Sequence, residues 1–350
     1  MASISKDQPA GSFEEAISVV PLTSHSYAGH LRLEWCIGTV PHGGYITSMF
    51  YHVARTHMKQ THPKRHNGRP TPISIHLTFI RRTEIGPVKF VVTDTKLGAR
   101  TSTLHISLIQ FDSNNKPREE VAGYLTISDL VTEEGPTIAT DYKLNPLPTP
   151  GTILDSNGTP VGVDFEKLGK TGQDGDWKRF VISHSSMRKA SRHVEFNTPT
   201  TKIMAQKGFI EQWTRFKPYG KDAVWKDDSL GFLIDMFPMM LQSLDDKPWE
   251  GKEGVAPSAH PDAPKSGPLA KFWYPTVLLN VDFKKKLPEE GAEWLYSRVL
   301  TRVLRNGRMD YDIVILDEQG DIVALSNHIA LIVGAERNLS ARGSNNGSKI

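Results

Sequence analysis

Asp235 is the residue whose surroundings point most directly to chemistry in this sequence. It is the one acidic residue of the apolar run Leu230–Leu241. A carboxylate among apolar neighbours is either held by polar partners as part of the structure or serves as a reactive group. Pro238 follows three residues later and has no N–H, so we expect a helix that kinks beside the acid. The question for the rest of the chain is which residues supply partners for Asp235.

Two helices are predicted to position the candidate site residues. The segment Asp228–Leu244 predicts the apolar helix that would carry the acid. An earlier helix is predicted to begin after His42-Gly43-Gly44, because apolar side chains recur at helical spacing from Tyr45 to Ala54. The polar loop His57–Pro72 would end that first helix.

Alternating apolar and polar residues predict strands before and after each helix. In the first half the strands are Leu31–Ile37 and, after the polar loop, Ile73–Phe79, Val88–Leu97, Thr101–Phe111 and Val121–Ile127. In the second half they are Gly208–Phe216 and, after the loop Lys247–Lys271, Thr276–Phe283, Trp294–Leu304, Met309–Leu316 and Ile322–Val333. The order of strand, helix, loop and four strands therefore occurs twice. Two such units can join their sheets edge to edge around two central helices.

The repeated pattern divides the chain into four parts. Residues 25–130 form the first repeat and residues 187–335 the second. Residues 131–186 between them are rich in proline and in Gly-Asp pairs, which is typical of a linker. Residues 336–350 are a polar tail.

Composition and charge exclude several classes of protein. The 350 residues carry a net charge of +3 without a dense basic run, so we expect no nucleic-acid partner. Residues 1–20 contain no apolar core, and no apolar stretch reaches the roughly 20 residues that span a bilayer, so neither a secretory signal nor a membrane span is expected. Cys36 is the only cysteine, which favours a reducing compartment. The last residues, Ser348-Lys349-Ile350, are close to the peroxisomal Ser-Lys-Leu tripeptide, so we expect a cytoplasmic or peroxisomal protein.

Several short stretches occur in the order found in a known family. They are His42-Gly43-Gly44-Tyr45, Phe79-Ile80-Arg81-Arg82, Gly98-Ala99-Arg100-Thr101, residues 193–199, Asn306-Gly307-Arg308 and, as the best match, residues 317–326. With them the sequence resembles the double-hotdog acyl-CoA thioesterases of the acyl-CoA thioesterase II type and their fungal thioesterase-like relatives. The resemblance implies an α+β double-hotdog fold, in which two antiparallel-sheet repeats each wrap a central helix.

The resemblance also implies a set of site residues. In the family a water is activated by an Asp on the second helix, a Thr or Ser at the start of the next strand and a Gln on the last strand. The matching positions here are Asp235, Thr276 and His328. Backbone N–H groups at the start of the first helix, in His42-Gly43-Gly44, would bind the substrate and stabilise its oxyanion. The implied substrate is an acyl thioester of the acyl-CoA kind, and no cofactor or metal is implied.

His328 departs from the family pattern. Glutamine can only orient a water, whereas histidine can also titrate near neutral pH. Taken alone, His328 is more typical of a satisfied core residue, and Thr276 of an ordinary strand residue. Burial is expected to raise the pKa of Asp235 and so improve it as a base.

Two other functions stay open from the sequence. His42 and Asp235 could form the pair of a double-hotdog dehydratase or cyclase, in which histidine removes the proton alpha to the carbonyl. The chain could also be a non-catalytic acyl-binding member of the fold. His62 and His66 lie in a loop that contains proline, so a metal site is not expected there. Hotdog proteins often assemble further, which leaves a homo-oligomer open.

Overall fold

The computed structural model describes residues 11–182, 185–200, 209–238 and 271–339. Within these ranges one antiparallel sheet of fifteen strands runs through both halves of the chain. The tripeptide Ser348-Lys349-Ile350 lies outside the described residues, and so does the predicted loop Lys247–Lys271 except for its last residue.

The first repeat consists of a long helix followed by four long strands. Its helices are α1 (Phe13–Ile17) and α2 (Gly43–Thr61), with 3-10 turns at Leu33–Trp35 and Arg65–Gly68. Its strands are β1 (Val20–Thr23), β2 (Ser26–Leu31), β3 (Cys36–Ile37), β4 (Val40–Pro41), β5 (Thr71–Phe79), β6 (Gly86–Leu97), β7 (Ser102–Phe111) and β8 (Pro117–Ser128).

The segment 131–186 contains secondary structure of its own. It carries β9 (Ile153–Leu154), β10 (Pro160–Gly162), α3 (Phe165–Thr171), β11 (Gln173–Asp174) and β12 (Trp177–Arg179). β12 pairs with a strand of the second half, Val194–Pro199, so part of this segment extends the sheet there.

Among the described residues, the second repeat follows the order of the first, and the helix before its four strands has four residues. Its helices are α4 (Leu230–Leu233) and α5 (Glu336–Leu339), with 3-10 turns at Ala190–His193, Pro218–Gly220 and Asp227–Ser229. Its strands are β13 (Val194–Pro199), β14 (Phe209–Phe216), β15 (Phe272–Trp273), β16 (Thr276–Phe283), β17 (Trp294–Leu300), β18 (Leu304–Arg305), β19 (Arg308–Leu316), β20 (Ile322–Leu331) and β21 (Val333–Gly334).

The two repeats join edge to edge in one sheet. Its strand order is β1-β2-β6-β7-β8-β5-β16-β20-β19-β17-β14-β13-β12-β11, with β18 beside β19. The junction is the antiparallel pair β5 and β16, in which Leu77 lies opposite Leu279 and Ile75 opposite Val281. These four side chains are buried against the central helices, so the junction is also part of the core. The predicted α+β double-hotdog architecture is therefore confirmed.

Helix α2 has the apolar face that its sequence predicts. The side chains from Tyr45 to Ala54 at helical spacing are buried. His42 is the N-cap, and its ring Nδ1 accepts a hydrogen bond from the Gly44 N–H at 3.2 Å. The helix ends at Thr61, four residues beyond the start of the loop expected from the sequence. No helix in the described part of the chain is both long and apolar enough to cross a bilayer.

The predicted strand Leu31–Ile37 is wrong for most of its length. β2 ends at Leu31, and Leu33–Trp35 form a 3-10 turn before the two-residue strand β3. The turn brings the Trp35 ring against His193 of the second repeat, with ring centroids 3.8 Å apart in a stacked arrangement. Aromatic packing between the repeats has overridden the local alternation of the sequence.

The predicted continuous helix Asp228–Leu244 is wrong between Ile234 and Phe237, and its last part, residues 239–244, lies outside the described residues. α4 ends at Leu233, and its helical hydrogen bonds stop with Ile234 N–H to Leu230 O at 3.0 Å. Pro238 cannot offer the N–H that would continue the helix, so the interruption expected beside it is a break rather than a kink. Side chains from other elements take the carbonyls near the break: Gln212 donates to Met236 O at 2.6 Å, and Arg188 donates to Pro238 O at 3.3 Å.

Candidate active site

Asp235 lies in the turn just beyond α4, where the second repeat meets the start of α2. Its side chain is 7% exposed. The Gly44 N–H donates to Asp235 Oδ2 at 2.8 Å, and the Thr276 hydroxyl donates to Oδ1 at 3.2 Å. The carboxylate is therefore held by a backbone donor of one repeat and a side-chain donor at the first residue of β16.

Two histidines approach the same carboxylate from opposite repeats. His42 Nε2 lies 3.7 Å from Asp235 Oδ2, and His328 Nδ1 lies 3.5 Å from Oδ1. Both distances exceed an ordinary hydrogen bond at this geometry. The structure thus brings together Asp235, Thr276, His328 and His42, which come from four separate parts of the chain.

His328 is held from behind by a polar chain on its own strand. The residue is completely buried, and its Nε2 lies 2.8 Å from the Ser326 hydroxyl oxygen. That hydroxyl donates to Asn280 O at 2.6 Å, so its proton is directed away from the imidazole. Ser326 was not predicted as part of the site, although the strand alternation places residues 326 and 328 on one face of β20.

The pKa of Asp235 is shifted in the direction opposite to the expectation. Burial raises this pKa, but the charges of His42 and His328 and the Gly44 N–H outweigh burial and lower it below the usual 3.8. Burial also lowers the pKa of His42, against the opposing effect of Asp235. Asp235 is therefore a carboxylate and His42 a neutral imidazole at neutral pH.

Gly43 and Gly44 are required by the packing around Asp235. A Cβ atom on Gly44 would lie 2.7 Å from the backbone oxygen of Gly231, and one on Gly43 would lie 2.7 Å from Asp235 Oδ2. Glycine thus allows α4 and the acid to approach the start of α2. The Gly44 N–H, expected to face an oxyanion, instead donates to Asp235 in this structure.

A cavity of about 500 Å³ opens in front of Asp235. His42, Gly43, Asp235 and Thr276 line it, whereas His328 does not. Much of the remaining lining is apolar, with contributions from Ile37, Val40, Ile46, Phe79, Phe272 and Trp273. Four arginines also line the cavity, at positions 81, 82, 188 and 337. The cavity combines an apolar wall, one carboxylate and a positive rim at Arg81, Arg82 and Arg337, whereas Arg188 is buried and donates to Pro238 O.

Comparison with known proteins identifies the family. A model of the acyl-CoA thioesterase N-terminal domain matches residues 31–128, and a model of the acyl-CoA thioesterase C-terminal domain matches residues 165–332. The chain belongs to the acyl-CoA thioesterase family. The first match lies within the first repeat, while the second begins inside the segment 131–186 and covers most of the second repeat. The family resemblance inferred from the ordered short stretches is confirmed.

Known proteins match this acyl-CoA thioesterase family member over almost its whole length. The thioesterase-like protein TwmA of Talaromyces wortmannii is 30% identical over 355 residues, which is 97% of each protein. A hotdog-fold protein of unknown function from Alicyclobacillus acidocaldarius superposes with a TM-score of 0.63 at 14% identity, over 93% of this chain and 98% of the other. The acyl-CoA thioesterase II TesB2 of Mycobacterium marinum gives a TM-score of 0.53 at 14% identity, over 92% and 98%. The two structural matches support the double-hotdog fold.

Proposed function

We propose that this protein hydrolyses acyl thioesters, with acyl-CoA as the substrate class. The observation that carries the proposal is the ionised carboxylate of Asp235 in the wall of a largely apolar cavity of about 500 Å³. An acyl chain fits the apolar wall, and a carboxylate beside it is suited to take a proton from water. Membership of the acyl-CoA thioesterase family supports the same conclusion.

In the proposed reaction Asp235 is the general base. It accepts a proton from a water, directly or through the Thr276 hydroxyl that already donates to its Oδ1. The water oxygen bonds to the thioester carbonyl carbon, the carbon–sulfur bond then breaks, and the proton held by Asp235 passes to the departing thiolate. Atoms balance with water as the co-substrate, and the chain's own side chains need only move one proton.

His328 has a positioning role in this proposal. It does not line the cavity, and it contacts Asp235 Oδ1 from the side of the buried sheet at 3.5 Å. From there it helps to lower the pKa of Asp235 and to fix the carboxylate beside Thr276. A glutamine, which the family has at this position, could fill the same space but could not titrate.

The rim of the cavity supports a phosphorylated carrier on the substrate. Arg81, Arg82 and Arg337 lie on this rim, and guanidinium groups are suited to bind phosphate. Coenzyme A carries phosphate groups at the end remote from the thioester. The acyl chain would then occupy the apolar interior while the carrier remains at the positive edge.

The assay that tests the proposal measures free thiol released from a panel of acyl-CoA substrates. We expect turnover that depends on enzyme concentration and releases one thiol for each free acid. If no member of the panel is cleaved while acyl-CoA binds saturably, the protein is an acyl-binding member of the fold instead.

We expect hydrolysis to keep its full rate at neutral pH and to fall on acidification only below pH 3.8, the ordinary pKa of the aspartate side chain. Burial raises the pKa of Asp235, but its histidine neighbours outweigh burial and lower it from 3.8. Since Asp235 is the only base in the proposed reaction, the active carboxylate is present at neutral pH and is lost only as pH falls through its lowered pKa. A thiol-release assay across pH measures this. An acid limb of the kcat profile above pH 3.8 would mean that a group with a higher pKa than Asp235 controls the reaction.

A dehydratase or cyclase is the second candidate, and one observation favours it. His42 lines the cavity beside Asp235, while His328 does not. A neutral imidazole in that place could remove a proton alpha to a thioester carbonyl and return it to the departing β-hydroxyl group, which leaves as water, while the Asp235 carboxylate stabilises the transient imidazolium. This reaction would leave the thioester bond intact, so its products differ from those of hydrolysis.

The two candidates predict different results for His328→Gln and His42→Ala with a 3-hydroxyacyl-CoA. For hydrolysis we expect free thiol and no 2-enoyl product, with His328→Gln retaining activity within about tenfold because the amide can still hold Asp235. Chromatography of the acyl products measures both reactions. An intact 2-enoyl thioester that forms with His328→Gln but not with His42→Ala would favour the dehydratase.

A further inference from the structure

Three histidines surround the carboxylate of Asp94 at the other end of α2. His57 Nε2 lies 2.9 Å from Asp94 Oδ1, while His62 Nε2 and His25 Nε2 lie 2.8 and 3.1 Å from Oδ2. His57 is in the last turns of α2, His62 is its C-cap, and His25 is in the turn between β1 and β2. From His42 to His57 the helix rises by about 22 Å at 1.5 Å per residue, so this cluster is remote from the candidate active site.

The other ring nitrogens of two of these histidines are held by neighbouring groups. His57 Nδ1 lies 3.1 Å from the backbone oxygen of Ser24 and 3.1 Å from the Tyr27 hydroxyl. His25 Nδ1 lies 2.9 Å from the Ser24 hydroxyl. A backbone oxygen can only accept, so it favours a proton on His57 Nδ1. In the neutral ring the lone pair of Nε2 then points at the Asp94 carboxylate, which is unfavourable unless a cation lies between them.

The donor set of the cluster suits a cation. Imidazole nitrogens of His25 and His57 and a carboxylate oxygen of Asp94 converge there, and these are common zinc ligands.

We propose that His25, His57 and Asp94 bind a divalent transition-metal ion of the zinc class. The three residues each offer one donor atom, and these atoms lie within 4.8 Å of one another. In a tetrahedral site with Zn–N and Zn–O bonds near 2.0–2.1 Å, neighbouring donors are about 3.3 Å apart. His57 Nε2 lies 2.9 Å from Asp94 Oδ1 and His25 Nε2 lies 3.1 Å from Asp94 Oδ2, so an ion between these donors requires them to move apart by a few tenths of an ångström.

The mixed set of imidazole and carboxylate donors decides the metal class. Imidazole nitrogen favours zinc, copper, nickel or cobalt over the hard cations calcium and magnesium, which prefer oxygen. The His25 side chain is 44% exposed, which gives an ion a path from solvent. His62, next to Asp94 Oδ2, supplies either a further donor or a hydrogen bond that orients the carboxylate.

The bound ion would connect three elements at one side of the first repeat. His25 precedes β2, His57 belongs to α2 and Asp94 belongs to β6. Since the unfolded chain does not hold these donors together, binding stabilises the folded state and raises its melting temperature. The site is structural in this proposal and takes no part in thioester chemistry.

Titration of the metal-free full-length protein with Zn²⁺ tests the site by calorimetry, and Co²⁺ reports its geometry through visible absorption bands. We expect Zn²⁺ to bind to wild type and to raise its melting temperature by several degrees at saturation. His25→Ala and Asp94→Asn are expected to weaken this binding by at least tenfold. His105→Ala is the matched control, because His105 is on β7 against Tyr124 and outside the cluster.

Equal Zn²⁺ affinity in wild type, His25→Ala and Asp94→Asn would overturn the proposal, and so would an absence of binding to wild type. An equal loss in His105→Ala would show that the ion binds elsewhere. Far-ultraviolet circular dichroism of each metal-free variant checks that the protein is folded. His25 is half-exposed, so His25→Ala remains informative even if a change at the partly buried Asp94 carboxylate impairs folding.

Discussion

Asp235→Asn is expected to lower kcat for acyl-thioester hydrolysis by about 10²–10⁴-fold, the usual contribution of a general base. The asparagine side chain has almost the same shape as aspartate. Its amide oxygen can accept from the Gly44 N–H, and its amide nitrogen can donate to the Thr276 hydroxyl, so the contacts at 2.8 and 3.2 Å have replacements. The substitution therefore removes the base while it preserves the packing. Steady-state thiol release and the melting temperature together measure this.

Asp282→Asn is the matched control for that experiment. Asp282 is on β16, the strand that begins with Thr276, and its side chain is 51% exposed. The same chemical change there is expected to leave kcat within about twofold, because surface substitutions have small effects. Full activity in Asp235→Asn would show that Asp235 is not the base. An equal loss in both variants would point to a general effect on the fold.

Gly44→Ala is expected to reduce the free energy of unfolding by about 1–3 kcal/mol, the typical cost of overpacking, and to reduce hydrolysis as well. The added methyl group would lie 2.7 and 2.8 Å from the backbone oxygens of Gly231 and Phe232, and 2.9 Å from Asp235 Cβ. Two of these three atoms belong to backbone, which cannot move aside without shifting α4. The acid beyond α4 would shift with it. Denaturant unfolding and thiol release measure the two effects.

Gly135→Ala is the control for the added methyl group. No atom lies within 4 Å of a Cβ at this position, so its stability is expected to change by less than about 0.5 kcal/mol. If Gly44→Ala were as stable and as active as wild type, the close approach of the two repeats at Gly44 would not be required for the site.

The sequence was sufficient to predict the architecture because the strand pattern is regular. β16 has the predicted bounds Thr276–Phe283, and the buried face of α2 is the predicted one. The errors occur where contacts between distant residues override local pattern. Trp35 stacks on His193 and forms a turn where a strand was expected. The break after Leu233 is an exception, because it precedes Pro238, which is close in sequence and lacks the N–H that would bond to Ile234 O.

The sequence predicted which residues form the candidate site, but it did not predict how they are arranged. The family resemblance predicted Asp235, Thr276 and His328 as site residues. The local sequence pattern does not predict that His328 lies behind the carboxylate while His42 lines the cavity. Burial alone predicted the wrong sign for the pKa of Asp235, because the two histidines that reverse it come from distant parts of the chain. The Asp94 cluster has no sequence signature, since its donors are separated by 32 to 69 residues.

His42 and His328 both lie beside the Asp235 carboxylate, and this geometry fits either hydrolysis or dehydration. The two reactions are therefore distinguished by their products. Each imidazole is within 4 Å of Asp235, and both help to lower its pKa. The same three groups could support hydrolysis or removal of a proton next to a carbonyl. The fate of the thioester bond and of solvent oxygen separates these reactions.

A single turnover of acyl-CoA in water enriched in ¹⁸O tests the central claim most directly. If Asp235 activates a water that attacks the thioester carbonyl, mass spectrometry will find one ¹⁸O atom in the released carboxylic acid and none in the enzyme, together with one free thiol per acid. An acyl product that keeps its thioester bond and contains no ¹⁸O, from a substrate that the enzyme has consumed, would contradict the proposed hydrolysis.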